Sequence, residues 1–372
     1  MITNTLGIVF SNMHDEMLGE LTEHRTTGSI PFGGRYRLID FMLSNMVNSG
    51  ISDIGIVTKN NYQSLMDHLG SGRDWDLSRK RGGMCILPPF GHSSTGMYRG
   101  RLEALSGVMS YIRHSNAQYV MLSDTDIVAN IDLDDVMEQH QKSGADITVV
   151  YKCAQFPKDA PKDIAILNLD DSGRVNDVLV NSHSTGKQNI YLNIAIMRKE
   201  LLEHLAIEGT ARNNPSFTGF VLQERSRVLK IMGYEFQGFS SKVINMKDFF
   251  KTNMDLLDPA VREQLFFSER PIYTKVRDEV PVKYGLDSVV RNSMIADGCI
   301  IDGYVENSII FRGVKIAKGA VVKNSIIMQS GVVGENAKLD YVVTDKDVFI
   351  DSGRILTGFE TYPIFIAKGS RV

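Results

Sequence analysis

Near its C-terminus this chain returns an aliphatic residue to the same phase every six positions. Ile310, Ile316, Val322 and Met328 are so spaced, with Gly313 and Gly319 three residues after the first two. Ser325 and Gly331 keep the phase, and Ile295 and Ile301 carry it one coil earlier. One aliphatic per hexad is the pattern of a parallel β-helix, in which each repeat forms one flat side of a triangular prism. A β-sandwich, with turns about every 8–12 residues, fits this even spacing less well.

Upstream, residues 5–250 alternate short apolar runs with helical patterns. Residues 6–10, 54–57, 119–122, 146–151 and 193–197 read as strands. Residues 36–48 place Ile39, Met42, Leu43 and Met46 at helical spacing before Gly50, a helix stop. Strand, helix, strand in this order predicts a mostly parallel, doubly wound α/β sheet. Sites in such sheets lie outside the carboxyl ends of the strands, which draws attention to Asp124-Thr125-Asp126. With 372 residues, two domains are expected: residues 1–250 and 285–372, joined by a helix and arm over 251–284.

Net charge −3 with 23% charged residues gives no reason to expect a nucleic-acid or membrane partner. Cys85, Cys153 and Cys299 are far apart without metal-ligand spacing, and are expected to be buried small hydrophobes. The N-terminal residues lack the basic and apolar regions of a signal peptide, so a cytoplasmic location is expected.

Three segments carry a resemblance over essentially the whole chain. PFGGRYRLIDFMLSNMVNSGI, GSGRDWDLSRKRGGMCILPPF and NSMIADGCIIDGYVENSIIFRGVKIAKGAVVKNSII are similar to segments of the glucose-1-phosphate adenylyltransferases (ADP-glucose pyrophosphorylases) of bacterial glycogen synthesis. Within that family the chain most resembles the divergent GlgD-type subunits that accompany a catalytic GlgC-type subunit. The resemblance implies a Rossmann-like (GT-A-like) nucleotidyltransferase domain followed by a left-handed β-helix. It also implies a glycogen biosynthesis role and a hetero-tetramer with a GlgC-type partner.

The family reaction joins ATP and glucose 1-phosphate to give ADP-glucose and pyrophosphate, and its apparatus can be checked residue by residue. The family's G-G-x-G-x-R-L triphosphate loop falls on Asn12-Met13-His14-Asp15-Glu16-Met17-Leu18. Glycines let bare backbone N–H groups approach phosphates, and the arginine adds charge-assisted bonds; here Asp15 and Glu16 bring negative charge instead. A family lysine aligns with Thr27. The first metal carboxylate survives as Asp126, which could equally be a strand-ending cap. The second falls on Lys242, which in its protonated form cannot ligate Mg²⁺. The lysine that grips the sugar phosphate becomes Asn181. A loop that lies along the nucleotide becomes Gly100-Arg101-Leu102-Glu103-Ala104, keeping only its first glycine and last alanine.

Losing one transition-state contact typically costs on the order of 10²–10³ in rate, so the chain is expected to be catalytically deficient alone. Mg²⁺ is implied only if some turnover survives. Arg25 and Arg37 match family positions that bind anionic sugar-phosphate effectors, while a neighbouring effector lysine has become His24; an altered effector site and plain solvated or salt-bridged arginines both fit. The first functional reading is a regulatory, non-catalytic subunit. Alternatives are an active sugar-phosphate nucleotidyltransferase with an atypical loop and a self-standing sugar-phosphate sensor. An acyltransferase using a β-helix histidine is closed off, because every histidine lies at or before His204.

Overall fold

The computed structural model describes residues 2, 4–13, 15–80, 82–89, 98–156, 164–180, 184–267 and 269–372. The N-terminal sheet has nine strands: β1 (Thr5–Phe10), β2 (Asp53–Val57), β3 (Gly83–Leu87), β4 (Tyr119–Asp124), β5 (Ile147–Gln155), β6 (Ala165–Leu169), β7 (Val175–Val180), β8 (Lys187–Arg198) and β9 (Ile231–Glu235). Their order is β7-β6-β8-β4-β1-β2-β3, with β5 also pairing with β8 and β9 pairing with β5. The sheet is parallel only from β4 to β3 and between β5 and β9; β8 runs antiparallel to β4, β5 and β6. The doubly wound expectation therefore holds for the half that carries the first strands, and the rest is mixed.

β1 is buried at every position, as a central parallel strand covered on both faces must be. Its last residues pair with β4 as Val9 with Ser123 and Phe10 with Asp124. This register brings the loop after β1 and the acidic turn after β4 to the same edge of the sheet.

Helix α1 (Leu38–Asn48) starts two residues later than its apolar spacing suggested, because Tyr36–Arg37 pairs with Pro31–Phe32 as a short antiparallel ribbon. The Arg37 backbone N–H donates to Asp40 Oδ2 at 2.9 Å, satisfying a donor that the helix start leaves free. Ile39, Met42, Leu43 and Met46 pack on the sheet. Leu38 and Phe41 face another way, into a cluster with Phe249, Leu256 and Leu265 and with Ile309, Phe311, Ile326 and Val343 of the C-terminal domain. One short helix thus serves two cores.

The C-terminal domain is the left-handed β-helix: three parallel sheets of five strands each. Ile310, Ile316 and Val322 fill the prism interior, as their spacing predicted. Met328 keeps the phase but is buried in the interdomain cluster instead. Successive partners Ile300, Lys315, Val332 and Phe349 lie 15 to 17 positions apart, fewer than three full hexads. A tight corner omits a residue from each coil, where Asn292, Asn307 and Asn324 take positive φ (40°, 45° and 43°), and the corner between Ile301 and Tyr304 is shorter still than its counterpart between Ile316 and Val321. Asparagine tolerates this conformation, and there its side chains bond from coil to coil: Asn292 Nδ2 donates to Asn307 Oδ1 at 2.8 Å. The serine after each asparagine forms a second ladder, Ser308 Oγ accepting from the Ser325 N–H and Ser325 Oγ from the Val342 N–H.

Between the domains, the helix Met246–Asp255 spans the boundary expected at 250, and Pro259–Leu265 is a further helix. The arm beyond it is tied along α1: Tyr273 N–H donates to Ser44 Oγ at 2.8 Å and Asn48 Nδ2 to the Pro271 carbonyl at 3.0 Å. Cys299 is buried, but Cys85 and Cys153 are exposed, contrary to expectation. Cys85 lies on β3, the edge strand, and Cys153 near the far end of β5. Among the described residues no helix is long and apolar enough to cross a membrane.

Candidate functional site

The loop after β1 is closed on itself. Asn12 is buried, its Oδ1 accepting from the Lys59 N–H at 2.9 Å and from Ser11 Oγ at 2.8 Å, while its Nδ2 donates to Asp15. Asp15 Oδ1 accepts from the Thr27 N–H at 2.8 Å and from Thr27 Oγ1 at 2.6 Å. Burial raises the Asp15 pKa, and the bonds from Thr27 and Asn12 oppose that rise. The positions that replace a glycine loop and a lysine are thus each other's partners. The Asp15 carboxylate takes up donors of the kind that a phosphate would use. Glu16 points to solvent. Met13 packs against the sheet core and Met17 against Phe156, Ile164 and Ile244.

At the end of β4 two carboxylates are buried, and each meets a cation of the chain itself. Asp126, 1% exposed, has Lys242 Nζ 3.7 Å from its Oδ2. The backbone fixes this contact: Ser240–Lys242 pairs antiparallel with Ile127–Ala129, opposing Lys242 to Ile127, and the Val243 N–H donates to the Asp126 carbonyl at 2.7 Å. Asp124 forms a buried ion pair with Arg101, and its Oδ2 accepts from Asn193 Nδ2 at 2.9 Å. Arg101 is the first residue of α2 (Arg101–Gly107). Burial works against its charge, but Asp124 more than compensates, leaving its pKa raised. Asn193 reaches Asp124 from a bulge in β8, where the pairing with β5 shifts and Asn193 takes φ 58°.

These residues do not fit Mg²⁺. A hard divalent ion needs several oxygen ligands around an octahedron; an ammonium group stands against Asp126, and the Asp124 carboxylate is engaged by Arg101 and Asn193. Among the described residues no group of three or more His, Cys, Asp or Glu side chains could hold a metal ion. Asn181, the counterpart of the sugar-phosphate lysine, lies outside the described residues.

Arg25 and Arg37 do come together, with different roles. Arg25 is 3% exposed and bonds Asp345 of the β-helix at 2.8 Å, so it is a buried interdomain strut. Arg37 donates to Ser64 and lines a cleft of about 300 Å³ between the domains. Arg35, Lys275, Arg277, Arg312 and Lys346 share that cleft, against Glu279 and Asp347. Burial lowers the Arg37 pKa to about 10, with Asp40 opposing and Arg25 and Arg277 adding to the fall. Such an excess of cations around one small cavity suits a multiply charged oxyanion.

Residues 16–179 match the nucleotidyl transferase family, and residues 280–360 match the GlmU-like C-terminal hexapeptide family. The glycogen biosynthesis protein GlgD of Bacillus subtilis is 36% identical over 98% of this chain and 96% of its own length. GlgD of Geobacillus stearothermophilus is 38% identical over 87% of this chain and 84% of its own length. A glucose-1-phosphate adenylyltransferase of Pseudothermotoga lettingae is 32% identical over 85% of this chain and 76% of its own length. The chain belongs to the GlgD and glucose-1-phosphate adenylyltransferase family.

Lys242 and Arg101 thus each pair with a buried carboxylate at the end of β4, beside the Asn12–Asp15–Thr27 network. Reading the residues singly identified Lys242 and Asp126 and named Arg101 and Asp124 without pairing them, but missed Asn193. A signal existed: Leu102, Ala104 and Leu105 are core-type residues, so an arginine between Gly100 and Leu102 enters a buried helix start and requires a carboxylate. Asn193 had no such signal, since a bulge depends on how β8 pairs with its neighbours.

Proposed function

We propose that this chain is a non-catalytic subunit of glycogen biosynthesis that assembles with a catalytic GlgC-type homologue, as a hetero-tetramer, and modulates ADP-glucose formation. The observation that carries this reading is the Lys242 ammonium held 3.7 Å from Asp126, at the one metal carboxylate the sequence retains. The closed Asn12–Asp15–Thr27 network and the Arg101–Asp124 pair support it from two more sides. The basic interdomain cleft is the effector site in this reading. Arg37 and Lys346 face the anion, and Arg25 holds the domains at the right separation.

The test is ADP-glucose synthesis by the catalytic homologue alone and after co-purification with this chain. Several-fold higher activity, or a shifted response to sugar-phosphate effectors, is expected of the complex. Failure of the two chains to co-purify, with activity unchanged in the mixture, contradicts the proposal. The coupling involved is typically about 1–3 kcal/mol, or 5–150-fold.

A further inference from the structure

The interdomain cleft has more positive charge than its walls balance. Arg312 is paired with Asp297 at 3.0 Å. Asp345 is fully used, its Oδ2 by Arg25 and its Oδ1 by the backbone N–H of Lys346 at 2.7 Å. Lys346 lies in the field of Arg37, Arg25 and Lys368, with Asp345 opposing them. From the ribbon before α1 and from the arm, the cleft presents Arg35, Arg37, Lys275, Arg277 and Glu279; from the β-helix, Arg312 and Asp347. His68 lines the same wall, its Nε2 2.6 Å from Asp40. Gln329 Oε1, also in the wall, is buried with no hydrogen-bond partner among the described residues.

Arginines keep their protons in such surroundings, but a lysine ammonium gives its proton up far more readily. Resting on the reading of this cleft as the effector site, we propose that it binds a doubly charged oxyanion together with a proton, and that Lys346 takes up that proton. Burial, then Arg37 and Arg25, lower the Lys346 pKa to about 7 in the empty cleft, with Asp345 opposing. A dianion beside it favours the charged form and restores the proton. The sign follows by linkage. With its pKa lowered to about 7, Lys346 gives up its proton in the folded chain well below the point at which the unfolded chain does, at the ordinary lysine value of 10.5. Stability from this group therefore rises with pH through that window, and anion affinity falls as pH rises. His68 is not the proton acceptor: burial lowers its pKa and Asp40 already occupies its Nε2.

Sulfate is the probe, because it stays dianionic throughout the range. Calorimetric titration of the full chain in two buffers of contrasting ionisation enthalpy should show uptake of roughly half a proton per sulfate at pH 7. Affinity should weaken roughly 10- to 30-fold between pH 6 and pH 8.5. Lys346→Arg should bind sulfate with little pH dependence and no proton uptake, and Lys346→Met should bind weakly at every pH. Tight binding that is independent of pH in the unaltered chain, or proton uptake that survives in Lys346→Arg, overturns this proposal while leaving the effector-site reading intact. No sulfate binding at any pH overturns both. Repeating the titration with inorganic phosphate and with glucose 1-phosphate separates the free anion from its ester as the better ligand. The Lys346-dependent pH effect must appear with whichever binds more tightly.

Discussion

Lys242→Asp is expected to give a chain whose stability depends on a divalent cation. The unaltered protein places an ammonium group 3.7 Å from the buried Asp126 carboxylate. The substitution exchanges that cation for a second anion on a strand held rigidly by its pairing with Ile127–Ala129. Two carboxylates that close cannot both ionise without a counter-charge. Without metal the variant should lose about 3–5 kcal/mol, the scale for leaving a buried charge unpaired. Mn²⁺ or Mg²⁺ should recover much of it, read as a rise in Tm with added metal. Lys242→Met provides the control, since it also removes the pair but offers no second ligand. Equal metal responses in the two variants, or none in Lys242→Asp, would show that Lys242 does not stand in a metal's place.

The second large effect is expected at the joint between the domains. Arg25→Ala strands Asp345, which is 2% exposed, with only a backbone N–H for company. A loss of about 3–5 kcal/mol is predicted, and urea unfolding should split from one transition into two as the domains uncouple. Replacing both partners, Arg25→Met with Asp345→Leu, should restore much of the stability, because a packed apolar pair removes both desolvation costs. Single-transition unfolding of Arg25→Ala with an unchanged midpoint would contradict the strut assignment.

The Arg25 case also shows where reading residues singly reaches its limit. Its charge and its match to an effector position left a ligand contact and a salt bridge both open, and nothing local pointed to a carboxylate 320 positions away. The β-helix was legible because its determinants are local: Ile310, Ile316 and Val322 each face inward by their own phase. Met328 stands six residues after Val322, but the residue omitted at the Asn324 corner turns Ile327 inward in its place, and Met328 meets the other domain. Likewise the strands β1 and β4 and the helix α1 stand out in the sequence as apolar runs and helical spacing. The direction of β8 is decided by non-local pairing, and the sheet came out mixed. At the site, Asp126 and Lys242 could be found one at a time. Their contact, and the Arg101–Asp124–Asn193 cluster beside it, exists only once β4, β8 and α2 are assembled.

The central claim is that cations of the chain itself occupy the place of the nucleotide-activating apparatus. The most direct test is ADP-glucose formation by this chain alone, with ATP and glucose 1-phosphate, across a titration of Mg²⁺. The account predicts no product above background at any Mg²⁺ concentration. Saturable, Mg²⁺-dependent turnover by the isolated chain would contradict it.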